Sequence, residues 1–130
     1  IGFRYLLCCG LTDTDGWEWA INTDGALWLR TNQVGDHQDT ISVNGVVPLN
    51  TWTLVAASRS GAVVTPYING RPSIGMAETH VDPDPSARAL HVGINDAEAA
   101  GFYDGYMRRV RVWNRALTAA EHLQIFNLER

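Results

Sequence analysis

The sequence predicts an all-β protein, an antiparallel sandwich with one short helix at its C-terminal end. Three observations predict it. Apolar and polar residues alternate at period two through residues 52–76, with β-branched Val63, Val64, Thr65 and Ile68 among them, as half-buried strands require. Asn69-Gly70 stands between two apolar runs, the strongest short hairpin signal, because both central residues of a type I′ turn take positive φ. About nine short strand-like runs are spaced by turn residues, and a capping box, Thr118-x-x-Glu121, opens the one helical pattern.

Taken in order, residues 3–9 (FRYLLCC) read as a strand, 12–16 as a polar turn and 17–22 as the returning strand. Trp17, Trp19 and Ile21 share one face of it, and Glu18, Ala20 and Asn22 the other. Asp24-Gly25 supplies the next turn, and 26–30 carries the chain back with Leu27 and Leu29 opposite Trp28. Residues 32–39 read as a polar loop, 40–43 as a short strand and 44–50 as a connector held by Pro48. Three strands then fill 52–76, turning at Ser60-Gly61 and Asn69-Gly70; Pro66, lacking an N–H, belongs at an edge or bulge. Pro83 and Pro85 make 77–88 a loop, 89–94 is a strand and 95–101 a loop. Residues 103–113 read as the last strand; Met107 is out of phase with Val110 and Val112, so a β-bulge is expected at Arg108-Arg109. The helix runs from Thr118 to about Leu128, and its apolar Leu123, Ile125, Phe126 and Leu128 must dock on a sheet edge or the sandwich end.

The totals set bounds on function. The 130 residues suit one domain, 1–130, that buries roughly two thirds of its unfolded surface. A net charge of −4 leaves no basic field for a phosphate backbone, so nucleic acid is not an expected partner. Membrane insertion is not expected either, since the apolar runs fall far short of the ~20 residues a spanning helix needs. The chain opens at Ile1 rather than Met, which reads as a processed product, a trimmed chain or a piece of something longer. Cys8 and Cys9 are neighbours that point to opposite faces of a strand, so both are expected as thiols.

LNTWTLVAASRSGAVVTPYINGRP resembles the central meander of laminin-G-like, concanavalin A-like lectin/glucanase jelly rolls, and GFYDGYMRRVRVWNRALTAAEHLQIF resembles that family's closing strand and terminal helix. The resemblance covers 49–126 well and 3–30 more loosely. It implies two antiparallel sheets with one or two strands lacking at the beginning, and hence an uncovered edge through which another copy could associate. It also implies core positions for the rings of Trp52 and Trp113, and an extracellular, cell-surface or particle-associated setting. The family commonly reads Gly-x-Ile-Asp-Asp/Glu-Val in its closing strand. Here Gly105-Tyr106-Met107-Arg108-Arg109-Val110 puts arginine at both acidic positions.

Three kinds of site follow. Asp13-x-Asp15-x-x-Glu18 is spaced like the Glu-x-Asp-x-x-Glu strand motif of the family's hydrolases, in which paired carboxylates act as nucleophile and acid; turn chemistry is the preferred reading, with only Glu18 firmly on a strand. Calcium is the cofactor the family offers, through Asp13 and Asp15 or Asn95 and Asp96, though Asx turns use the same residues. His37, His80, His91 and His122 lack the short spacing of a zinc site. Sugar binding on such folds sets a flat ring against a pyranose with polar groups beside it, which selects Trp28 with Arg30, and Phe102 and Tyr103 with Asp96 and Asp104. The expected function is a non-catalytic module that binds a glycan or protein surface, without a required cofactor. A glycoside hydrolase using Glu18 with Asp15 or Asp13, and an architectural component of a multimeric particle, are the alternatives.

Overall fold

The computed structural model describes residues 2–96 and 100–130. A meander of four long strands comes first: β1 (Arg4–Leu11), β2 (Asp15–Ile21), β3 (Leu27–Gln33) and β4 (Asp36–Ile41). The organising stretch follows as β5 (Val55–Ser60), β6 (Val63–Ile68) and β7 (Arg71–Pro72), and then come two short strands, β8 (Met76–Ala77) and β9 (His91–Val92), and the helix α1 (Ala119–Glu129). The larger sheet has the order β8-β4-β3-β2-β1-β9 and the smaller one β5-β6-β7, with every pairing antiparallel. This is the β-sandwich with one short C-terminal helix that the alternation calls for.

Local chemistry sets the turns. Asn69 (φ 50°) and Gly70 (φ 76°) form a two-residue turn between the paired Ile68 and Arg71, as the type I′ geometry demands. Gly16 (φ 67°) sits where an added Cβ would lie 1.9 Å from the Cys9 carbonyl oxygen, so no other residue lets β1 and β2 close around residues 12–14. Pro66 lies in β6, the middle strand of the small sheet, rather than at an edge or bulge as expected; β7 ends at Pro72, so no ladder continues beside the missing N–H, and the Pro66 carbonyl still accepts from the Ser73 N–H at 2.9 Å. At the helix, the Glu121 N–H donates to the Thr118 hydroxyl while the Glu121 carboxylate accepts from the Thr118 N–H, a complete capping box. The helix docks on the Asn69-Gly70 turn, with Tyr67 stacked on His122 at 3.8 Å.

Five further expectations are corrected. Residues 32–39 are not a loop. β3 continues to Gln33, turns at Val34-Gly35 and returns as β4, because its polar side chains find partners: Arg30 forks onto Asp39 at 2.7 and 2.8 Å, and the Thr31 hydroxyl meets the Gln38 side chain at 3.3 Å. The strand expected over 40–43 is the end of β4, and that over 89–94 shrinks to the pair His91–Val92 beside β1. Residues 103–113 form no strand, since an extended segment gains ladder bonds only from a neighbouring edge and none reaches it. Without a ladder the β-bulge expected at Arg108-Arg109 does not form, although Arg109 takes a positive φ of 56°; the register shift lies in β1, between Tyr5 and Leu7. Trp52 and Trp113 are not core rings but 61% and 43% exposed, because no second layer covers them. Of the loop read over 95–101, residues 97–99 lie outside those described.

The core holds Leu6, Leu7, Leu27, Val64, Tyr67 and Leu117. Cys8 is buried and Cys9 half-buried, both as thiols. Among the described residues no helix is long and apolar enough to cross a membrane.

Candidate functional site

Strand alternation on β2 sends Asp15 and Glu18 to opposite faces of the sheet. Glu18 is 4% exposed and fully engaged: Oε1 accepts from the Tyr5 hydroxyl at 3.3 Å, and Oε2 from the Thr12 hydroxyl at 2.9 Å and the Asn32 amide at 3.3 Å. Burial, and then the Glu18 charge, raise the Tyr5 hydroxyl's pKa and push the Cys8 thiol up to about 11. Both therefore keep their protons at neutral pH, and Glu18 sits among neutral donors. Asp13, in the turn, meets His37 at 2.5 Å. The three carboxylates thus have three separate sets of partners.

Of the calcium candidates Asp15 and Asp96 are brought together, around a cation the chain already owns, whereas Asp13 and Asn95 have other partners. Arg88 donates from Nε to Asp15 at 2.9 Å and from a terminal nitrogen to Asp96 at 2.5 Å, tying β2 to the loop after β9. Asn95 accepts from the Ala100 N–H at 3.4 Å. Among the described residues no group of three or more His, Cys, Asp or Glu side chains is arranged to hold a metal ion.

Trp28 and Arg30 share a face, as their parity requires, but the ring offers no free surface. Trp28 is 1% exposed, stacked on Phe3 at 4.3 Å and covered by the Arg30 guanidinium at 4.5 Å. Asp39 then holds Arg30 in place. Asp96 is committed to Arg88, whereas Tyr103 and Asp104 face a different feature, a cleft between the two sheets.

That cleft has a volume of about 1530 Å³. Its floor is the inner face of the larger sheet, including Trp17, Trp19 and Leu29; one wall is β5, and the other is the unpaired 103–115 segment. It exists because three strands face six and the remaining extended segment lies beside the small sheet without joining it. Among the described residues eight of the ten basic side chains contribute to its lining, against four of the thirteen acidic ones. Of these, Arg30 and Glu18 send their charged ends to the other face of the sheet. A chain of net charge −4 therefore has a basic cleft. At the rim Arg108 stands over Trp52 at 4.8 Å, and Tyr106 is 85% exposed. Arg109 and Arg111 both pair with Glu129; burial alone would raise the Glu129 pKa, but these two arginines carry it below the ordinary carboxylate value. Trp52, Tyr106, Trp113 and the arginines were not selected from the sequence; the signal was the recurrence of arginine at 108, 109, 111 and 115 between aromatic residues.

A lectin-like β-sandwich is thus the class that the two sheets and the terminal helix define. A family model described as the concanavalin A-like lectin/glucanases superfamily matches residues 4–121, and the chain belongs to that superfamily. It is a carbohydrate-related or binding domain at that coarse level. Searches of curated proteins and of solved structures return no match.

Proposed function

We propose that this domain is a non-catalytic binding module and that its ligand, an anionic glycan or polypeptide, lies in the inter-sheet cleft. The observation that carries the reading is the cleft's surface: Trp52 and Tyr106 stand in solvent with Arg108 against the Trp52 ring, in a basic setting on an acidic chain. Exposed rings beside guanidinium groups suit flat apolar faces flanked by carboxylate or sulfate. The placement of Asp15 and Glu18 on opposite faces of β2 speaks against a paired-carboxylate hydrolase, which needs both groups on one bond.

Titration with uronic-acid and sulfated oligosaccharides, against neutral ones, followed by tryptophan fluorescence tests this. We expect the anionic members to perturb the signal and Arg108→Ala to weaken them roughly tenfold, as loss of one charge-assisted contact implies. Sugar release from a β-glucan panel, abolished by Glu18→Gln, would overturn the non-catalytic reading.

A further inference from the structure

We infer that the cleft is an acceptor groove for a β-strand: it takes an extended segment of another polypeptide, with apolar side chains at alternate positions and carboxylates between them. The inference rests on the binding-module reading and deepens it by naming the ligand class.

The first observation is the free edge of β5. Its only ladder partner among the described residues is β6. The two-residue Gly61-Ala62 turn makes Ser60 and Val63 a hydrogen-bonded pair, and antiparallel alternation then directs the N–H and C=O groups of Val55, Ala57 and Arg59 away from β6, toward the cleft side. A row of main-chain donors and acceptors at two-residue spacing matches the repeat of another polypeptide backbone. Two side-chain donors on the cleft residues, Trp19 Nε1 and Arg59 Nε, are buried without a partner, each suited to a carbonyl oxygen.

The second observation is size. A strand between two layers takes up roughly 160 Å³ per residue, from a rise of about 3.3 Å, a strand spacing of about 4.8 Å and a layer spacing of about 10 Å. The cleft's 1530 Å³ therefore corresponds to roughly nine to ten residues of extended chain, enough to run the length of the six-residue β5.

The third is chemistry on either side of the slot. The floor offers Trp17, Trp19 and Leu29 to inward-pointing apolar side chains. Arg109 and Arg111 are already paired with Glu129 and Arg115 with Glu121, while Arg108 stands over the Trp52 ring at the rim, so the strand residues that face away from the floor meet a guanidinium there, and carboxylates suit them.

The probe is an acetylated, amidated nonapeptide of alternating glutamate and valine, titrated calorimetrically and followed by amide hydrogen exchange. We expect saturable one-to-one binding, a raised Tm and slowed exchange over residues 55–59. Three changes should each weaken binding at least tenfold: N-methylation of alternate peptide amides, lysine in place of every glutamate, and Arg108→Glu. Ala57→Pro, which removes an edge donor without touching the β6 ladder, should do the same; if that variant fails to fold, Arg108→Glu and the N-methylated peptide still decide the matter. No binding by the glutamate-valine peptide, equal binding of the lysine peptide, or equal binding of the N-methylated one overturns the inference. So does a dimer in light scattering whose β5 amides are already protected and which the peptide does not dissociate. If acidic oligosaccharides bind while the peptide does not, the strand assignment falls and the binding module stands; if neither binds, both fall.

Discussion

The guanidinium of Arg108 lies 4.8 Å from the centre of the Trp52 ring and fastens the segment after Gly105 to the connector before β5. Both partners are open to solvent, so the contact contributes only about 0.5–1 kcal/mol to folding. Arg108→Ala should accordingly lower stability by no more than about 1 kcal/mol while shifting Trp52 emission and weakening cleft ligands. Parallel urea unfolding and ligand titration separate the two effects. A large stability loss with unchanged affinity would make Arg108 a structural clamp.

Gly70 carries two constraints at once. Its φ of 76° is left-handed, and an added Cβ would lie 2.8 Å from Leu123 Cα and 2.9 Å from Phe126 Cβ in the docked helix. Gly70→Ala should therefore cost more than the ~1–2 kcal/mol of the backbone term alone, because the helix must also move off the turn. Gly35→Ala is the control, since Gly35 has a similar φ of 77° but open space around it. Unfolding midpoints should fall clearly further for position 70 than for position 35.

Two histidines make the fold sensitive to mild acid. His80 is buried between the hydroxyls of Thr31 (2.8 Å) and Thr40 (2.9 Å), and His122 bonds the Ser58 hydroxyl at 2.8 Å under the Tyr67 ring. Burial, and for His80 then the Arg59 charge, lowers both pKa values below the ordinary 6.5, against smaller opposing pulls from Asp39 and Glu78 on His80 and Glu121 on His122. With the folded value depressed, the unfolded chain binds more protons, so stability is constant above about pH 6.5 and declines as pH falls through that value. Each histidine adds at most about 1.4 kcal/mol per pH unit. Unfolding between pH 8 and 5 should show this slope, and His122→Phe, which keeps a ring against Tyr67, should reduce it. A flat profile, or one unchanged by His122→Phe, would contradict the assignment.

These sites also mark how far the chain could be understood from its residues alone. The Asn69-Gly70 turn and the Thr118-Glu121 box were legible because each is completed by atoms three or four residues apart. The β3–β4 hairpin was not, because Gln38 and Asp39 become strand residues through partners from afar: the Val81 N–H donates to the Gln38 side chain at 3.0 Å, and the Asp39 N–H to Glu78 at 2.6 Å. Parity placed Trp28 and Arg30 on one face correctly, yet whether the ring is free depends on Phe3, more than twenty positions away. Trp52 and Trp113 were misplaced for the complementary reason. Apolar character predicts a wish to be covered, and only the count of strands in the opposing sheet decides whether cover exists.

Arg88 provides the last test, because it occupies the space that a bound cation between Asp15 and Asp96 would need. Its pKa is raised, first by the bond to Asp15 and then by that to Asp96 against the pull of desolvation, so it is charged at every working pH. The wild-type Tm is expected to be indifferent to calcium and to chelator, since the guanidinium already neutralises these two carboxylates. Arg88→Ala leaves the two carboxylates facing one another unscreened and should lower the Tm. It should also create what the wild type lacks, a Tm that rises with added calcium, because a hard divalent ion can then replace the guanidinium charge. Thermal melts of both proteins with and without calcium decide it. A wild-type melt that drops on chelation would show that the cation site lies elsewhere, and an Arg88→Ala protein deaf to calcium would show that the two carboxylates are too few in ligands to hold one.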